Sequence, residues 1–156
     1  MFESLLTFTL VIVFLLIFTI LWRIKARKYI SSGTVASAYD AWTQDKLLER
    51  LWGEHIHLGF YPSNGKSIDF REAKVQFVHE LVKWSGLDKL PKGSRVLDVG
   101  CGIGGSSRIL AKYYGFNVTG ITISPAQVKR ARELTPHQLN CNFQVMDALD
   151  LKFEDG

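Results

Sequence analysis

Val96-Leu97-Asp98-Val99-Gly100-Cys101-Gly102-Ile103-Gly104-Gly105 decides the fold of this 156-residue chain. Arg95–Val99 reads as a short apolar strand and Gly100–Gly105 as a glycine-rich turn. Ser106–Tyr114 follows as a helix that Gly115 closes. Asn117–Ile123 is a second strand. Ser124–Leu134 is a second helix, with Ser124 as N-cap and Pro125 at its first helical position. Asn142–Met146 is a third strand. A β-α-β-α-β run of this kind predicts a parallel sheet with right-handed crossovers, a Rossmann-like α/β fold.

Glycines in the turn let the backbone bend sharply and let a ligand approach the weakly positive start of the next helix. The spacing Gly100-x-Gly102-x-x-Gly105 serves nucleotide sites of several kinds. Asp98 separates them. A dinucleotide lays its pyrophosphate over the turn, where a carboxylate repels it. It also takes an acid at the end of the next strand for its ribose, and Gly120-Ile121-Thr122-Ile123 offers none. S-adenosylmethionine (SAM) carries a sulfonium, an ammonium and a carboxylate, and no phosphate. An acid beside the turn suits its cationic groups, and the turn's N–H groups suit its carboxylate. The expected cofactor is therefore SAM rather than NAD.

The third strand runs into Met146-Asp147-Ala148, and strand carboxyl ends line the ligand crevice in such sheets. Asp147 is expected either to face the same cleft as Asp98 and accept from an adenine amino group, or to be a solvated turn acid before Leu149. Gln127 reads as a ribose contact or as the partner of Ser124 in a capping box. Thr122 reads as a ribose contact or a plain strand residue. Cys101 reads as packing rather than a nucleophile, because no base is spaced to activate it. His55 and His57 flank Ile56, but no second cluster completes a metal-ligand set, so loop and packing roles are expected and no metal centre. His79 and His137 have no partner in view.

The net charge of +4 would suit nucleic acid, yet it is local: without Arg23, Lys25, Arg27 and Lys28 the chain is neutral. A nucleic-acid partner is not expected. Leu5–Trp22 (LLTFTLVIVFLLIFTILW) is uncharged and, as a helix, would be about 27 Å long. Its threonines can bond back to helix carbonyls. Trp22 and the basic cluster follow the run, which predicts one transmembrane helix with the cationic side and the rest of the chain in the cytoplasm, against membrane lipid. A cleaved signal peptide would place its basic residues before the run. Two cysteines, Cys101 and Cys141, fit a reducing compartment.

Between anchor and sheet, Tyr29–Thr34 reads as a linker and Val35–Trp52 as a helix capped by Thr34. His55–Lys66 is a loop with Pro62, Asn64 and Gly65 as breakers. Asp69–Ser85 is an amphipathic helix with Phe70, Ala73, Phe77, Val78, Leu81 and Trp84 on its apolar face. The domain division is residues 1–28 as anchor, 29–94 as helical lead-in and cofactor cap, and 95–156 as the N-terminal half of a SAM-binding domain.

VLDVGCGIGG, the helix SSRILAKYYG and the strand NVTGITIS resemble motif I and its sequel in class I SAM-dependent methyltransferases. Ala38-Tyr39-Asp40-x-Trp42 and Trp52-Gly53-Glu54-His55-Ile56-His57-Leu58-Gly59 are similar to the lead-in of the tocopherol and plastoquinone pathway methyltransferases, and more distantly of sterol C-methyltransferases. The resemblance implies C-methylation of a prenylated quinol or chromanol, a lipophilic small molecule. It implies that Asp98, Gly100 and Gly102 hold the methionine part of SAM, with Cys101 and Gly104 completing the turn. It places Thr122, Ile123 and Gln127 near the ribose and Asp147 and Ala148 at the adenine. Tyr39 and the Trp52–Gly59 loop would cap the cofactor or shape the acceptor entrance. Methyl transfer would be an in-line displacement with a base assisting loss of a phenolic proton; the sequence names no such base.

The family's sheet has further strands, so this chain reads as truncated after the third, with a C-terminal half missing, or as half of a split enzyme. Val96, Val99, Val118, Ile121 and Val145 are then expected to face uncovered space, and the chain alone is expected to be inactive. Two rival readings are a non-catalytic SAM-binding remnant and a fragment of an NAD-dependent oxidoreductase.

Overall fold

The computed structural model describes residues 2–23, 32–63 and 67–154, with side chains in the first helix given over residues 8–19. The chain divides into two compact units, Met1–Ser31 and Ser32–Gly156.

The first unit contains helix α1 (Phe2–Arg23), 22 residues long. Thr19 Oγ1 donates to the Leu15 carbonyl at 2.7 Å, the back-bond expected of threonine in an apolar helix. Phe14 and Phe18 stack one turn apart. Every described side chain of α1 is exposed. The transmembrane reading needs correction at this level: among the described residues no helix is long and apolar enough to cross a membrane. The side chains that would complete the span, among them Trp22, fall outside the described ones, as do Lys25, Arg27, Lys28 and most of the linker.

The second unit opens with α2 (Ser32–Gln44) and α3 (Leu47–Trp52) in place of one helix from Val35 to Trp52. Lys46 is left-handed at φ 52° and cannot continue a right-handed helix. Apolar spacing runs on through the break, so periodicity concealed it. Thr34 lies inside α2 and is not its cap. Then comes α4 (Phe70–Ser85), capped by the Asp69 carboxylate, which accepts from the Arg71 and Glu72 N–H groups, and closed by Gly86. Asn64 and Gly65 lie outside the described residues.

The buried stripe of α4 is Ala73, Lys74, Val78 and Val82, rotated from the expected one; Trp84 is 85% exposed and Leu81 48%. Lys74 is tolerated inside because its ammonium meets two backbone carbonyls, described below. A 3-10 turn (Leu87–Lys89) leads to β1 (Arg95–Val99), α5 (Gly105–Tyr114), β2 (Asn117–Thr122), α6 (Pro125–Leu134) and β3 (Cys141–Val145). These strands form a parallel sheet in the order β1-β2-β3, with Asp98 opposite Gly120 and Gly120 opposite Phe143. It is the expected Rossmann-like α/β architecture.

Two apolar clusters fill one side of the sheet. Val82, Leu110, Ala111, Phe116 and Val118 join α4, α5 and β2; Cys101, Val128, Ala131 and Phe143 join the glycine turn, α6 and β3. The expectation that five strand residues face uncovered space holds for Val99 and Val145, each 53% exposed. It fails for Val118 and Ile121, which are buried, and for Val96, which packs against the first cluster.

Candidate cofactor and acceptor cleft

The carboxyl ends of β1, β2 and β3 open into a cleft of about 450 Å³, roofed by α2 and the segment after α3. That volume lies within the roughly 300–1,000 Å³ usual for ligand pockets. Backbone hydrogen bonds build its floor. The Gly100 and Cys101 N–H groups both donate to the Ile121 carbonyl, at 2.9 and 3.0 Å, so the turn leaves β1 by crossing the end of β2.

Gly104 and Gly105 show why the turn is glycine. Gly104 takes φ +82°, and a Cβ there would stand 2.7 Å from the Phe143 ring. At Gly105 a Cβ would meet the Glu54 carbonyl oxygen and His55 Cε1, each at 2.8 Å. The start of α5 is thus pressed directly against the lead-in loop.

Asp98 lines the cleft and accepts from Ser107 Oγ at 2.6 Å. Burial pushes its carboxyl above the ordinary value, while the Ser107 hydroxyl and N–H work against that shift. Gly100, Cys101, Gly102 and Gly105 line the cleft beside it, and so do Ile103 and Ser106, which the sequence did not single out. Gly104 departs from expectation: it turns its back to the cleft, against Phe143. The Cys101 thiol is buried between Phe143 and Gly120, and burial pushes it up to about 12, the state of an inert packing thiol.

Thr122, Ile123 and Gln127 line the second side. Ser124 Oγ accepts from the Gln127 N–H at 3.1 Å, half of a capping box. The other half is absent. Gln127 Oε1 accepts from the Thr122 hydroxyl at 2.7 Å, and the Ser124 N–H donates to Thr122 Oγ1 at 3.3 Å. Thr122 and Gln127 therefore act as one bonded pair on the cleft wall. Asp147 and Ala148 line the third side. Asp147 Oδ1 also accepts from the Leu149 N–H at 2.9 Å, so the turn role and the cleft position coexist. Tyr39 closes the cleft from α2, edge-on to Trp42.

Three residues to which the sequence reading gave no individual role hold this roof. Asp40 Oδ1 accepts from Ser124 Oγ and from the Ala126 N–H at the start of α6. Arg108, buried in α5, donates to the Ile103 carbonyl at 2.8 Å and to Glu54 Oε2 at 2.6 Å. Lys74 donates to the carbonyls of Trp52 and His55 at 3.1 and 2.8 Å, with its pKa lowered by burial and then by Arg71. Each joins segments far apart in sequence, and no local spacing announces such pairs. Among the described residues no cluster of three or more His, Cys, Asp or Glu side chains can hold a metal ion.

The cleft suits a ligand with cationic and carboxylate groups at the Asp98 end. Residues 96–156 match the family model described as a methyltransferase domain. The chain is 61% identical over 136 residues, 87% of its length, to the 2-methyl-6-phytyl-1,4-hydroquinone methyltransferase of Synechocystis. It is similar to the N-terminal part of class I SAM-dependent methyltransferases. The chloroplastic tocopherol O-methyltransferase of Arabidopsis thaliana is 43% identical over 120 residues. This methyltransferase-like chain spans 43% and 34% of those two relatives, less than half of either. Among solved structures, that of the (4+2)-cyclase SpnF superposes with a TM-score of 0.69 at 28% identity, covering 80% of this chain and 46% of that one. Likeness to these methyltransferases implies SAM, and the donor set fits it: an acid at Asp98, helix N–H groups at the turn and a second acid at Asp147.

Proposed function

We propose that the chain is the N-terminal part of a SAM-dependent methyltransferase that C-methylates a prenylated benzoquinol or a tocopherol precursor. The observation that carries the cofactor is the placement of Asp98 and Asp147 at opposite ends of one cleft, with the neutral Thr122–Gln127 pair between them. The substrate class rests on the 61% identity to a hydroquinone methyltransferase. SAM supplies an activated methyl group. Asp98 would hold its ammonium, the turn its carboxylate, Thr122 and Gln127 its ribose, and Asp147 its adenine amino group. Tyr39 and Trp42 would shut out water.

Turnover is proposed to need the rest of the methyltransferase domain, since Val99 and Val145 lie open at the sheet. A lipophilic acceptor fits a membrane setting, and association of α1 with a bilayer surface and a cytoplasmic location of the cleft are proposed. The association is supported by the uncharged run Leu5–Trp22 and the exposure of all described α1 side chains. Flotation with phospholipid vesicles tests this: the chain should float, and a chain lacking residues 1–28 should stay at the bottom.

Incubation with methyl-labelled SAM and 2-methyl-6-phytylbenzoquinol tests the activity. Label should reach the quinol when the complementary part of the domain is supplied, and not with the 156-residue chain alone. A second reading, SAM bound without methyl transfer, is favoured by the likeness to a cyclase structure. Saturable SAM binding with no label in any quinol would establish it.

A further inference from the structure

His55 and His57 lie in the cleft wall, and the role proposed above leaves both unused. His57 Nδ1 lies 2.8 Å from the Leu58 carbonyl, which only accepts, so Nδ1 carries a proton. His57 Nε2 lies 3.1 Å from His55 Nδ1. With His57 neutral, its Nε2 is the acceptor and His55 Nδ1 the donor. His55 Nε2 is then unprotonated. It makes no hydrogen bond among the described residues, and no buried polar side-chain atom there lacks one, so Nε2 is accessible. A Cβ on Gly105 would meet His55 Cε1 at 2.8 Å and Nδ1 at 3.0 Å, so the His55 ring packs on the glycine turn, in the wall of the cleft.

We infer that His55 and His57 form the base that takes the acceptor's phenolic proton. This rests on the methyltransferase reading. The phenolic O–H bond breaks and its proton goes to His55 Nε2. The Nδ1 proton of His55 passes to His57 Nε2 along the existing hydrogen bond. The electron pair stays on the phenolic oxygen and spreads to the ring carbon that receives the methyl group. The proton displaced from that carbon goes to water, and His57 returns its own to the oxygen.

The surroundings suit a relay in which His55 never carries charge. Burial lowers its pKa to about 4; His57, Arg108 and Lys74 also oppose a charge there, and Glu54 favours one. Glu54 is engaged by Arg108, and the Lys74 ammonium sits on the His55 carbonyl. His57 faces Phe77, with ring centroids 5.2 Å apart, and its Nε2 is the one hydrogen-bond partner that His55 Nδ1 has among the described residues, so a proton leaving His55 passes to His57.

Long-range proton–nitrogen NMR of the histidine-labelled chain tests the arrangement directly. At pH 7.5 both rings should show a protonated Nδ1 and a bare Nε2. Titration with methylhydroquinone in the presence of S-adenosylhomocysteine should move His55 Nε2 first. A protonated His55 Nε2 would overturn the inference. In the assembly that turns over, H57F should lower kcat about 100-fold with unchanged SAM affinity and KM. Undiminished kcat would also overturn it, whereas loss of SAM binding by the parent protein would instead sink the methyltransferase reading.

Discussion

The Asp40 carboxylate of α2 receives the Ser124 hydroxyl, 84 residues away, at the first turn of α6. The same oxygen accepts from the Ala126 N–H at 3.0 Å. An acid at a helix N-terminus satisfies orphan donors and complements the helix dipole. Here it also fastens the roof of the cleft to its wall, with Tyr39 one residue before it and the Thr122–Gln127 pair beneath.

Asp40→Ala should therefore cost about 1–3 kcal/mol of stability and weaken SAM binding, although the Asp40 side chain is not among those lining the cleft. Urea denaturation and calorimetry check the two effects separately. Unchanged SAM affinity would mean that the roof closes without this tie.

Gly105→Ala places a methyl group against the Glu54 carbonyl, which is backbone and yields little. Displacing the lead-in loop from α5 should destabilise the fold by about 1–3 kcal/mol. The His55 ring moves with that loop, so its NMR signals should shift while those of the distant His137 stay in place.

Acid should weaken the fold through His55. Its folded pKa, about 4, lies below the unfolded value near 6.5, so the unfolded chain binds more protons between the two. Stability from this residue is complete above about pH 6.5 and falls as the pH drops towards 4. Asp98, raised by burial, acts in the opposite sense. Comparing H55Q with the parent across pH 4–7 isolates the histidine: the gap between their urea midpoints should vary with pH, and a constant gap would refute it.

Cys101 should resist alkylation. With its thiol at about 12, its thiolate at neutral pH is on the order of a thousandfold scarcer than that of a free cysteine. Mass spectrometry after iodoacetamide treatment should find Cys101 unmodified in the native chain and modified in urea.

The sheet and the glycine-turn end of the cleft were legible because their signals are local. Asp98, the glycines and the Ser124-Pro125 helix start sit within a few residues of one another, each required by backbone geometry. Gln127 was half legible: its N–H caps as the spacing implied, but its side chain turns to Thr122. The ties made by Asp40, Lys74 and Arg108 were illegible, since the carboxylate or carbonyl that each joins across the fold lies 19 to 86 residues away and a lone Asp, Lys or Arg looks like surface. The break at Lys46 was hidden because the apolar spacing continues on both sides of it. The stripe of α4 was misread because buried Lys74 is polar and exposed Trp84 is not.

Calorimetric titration of the chain with SAM, and in parallel with NADH, tests the central claim most directly. Saturable SAM binding, at least tenfold weaker in Asp98→Asn, with no NADH binding, is the expected result. NADH binding without SAM binding, or an Asp98→Asn affinity equal to that of the parent, would contradict it.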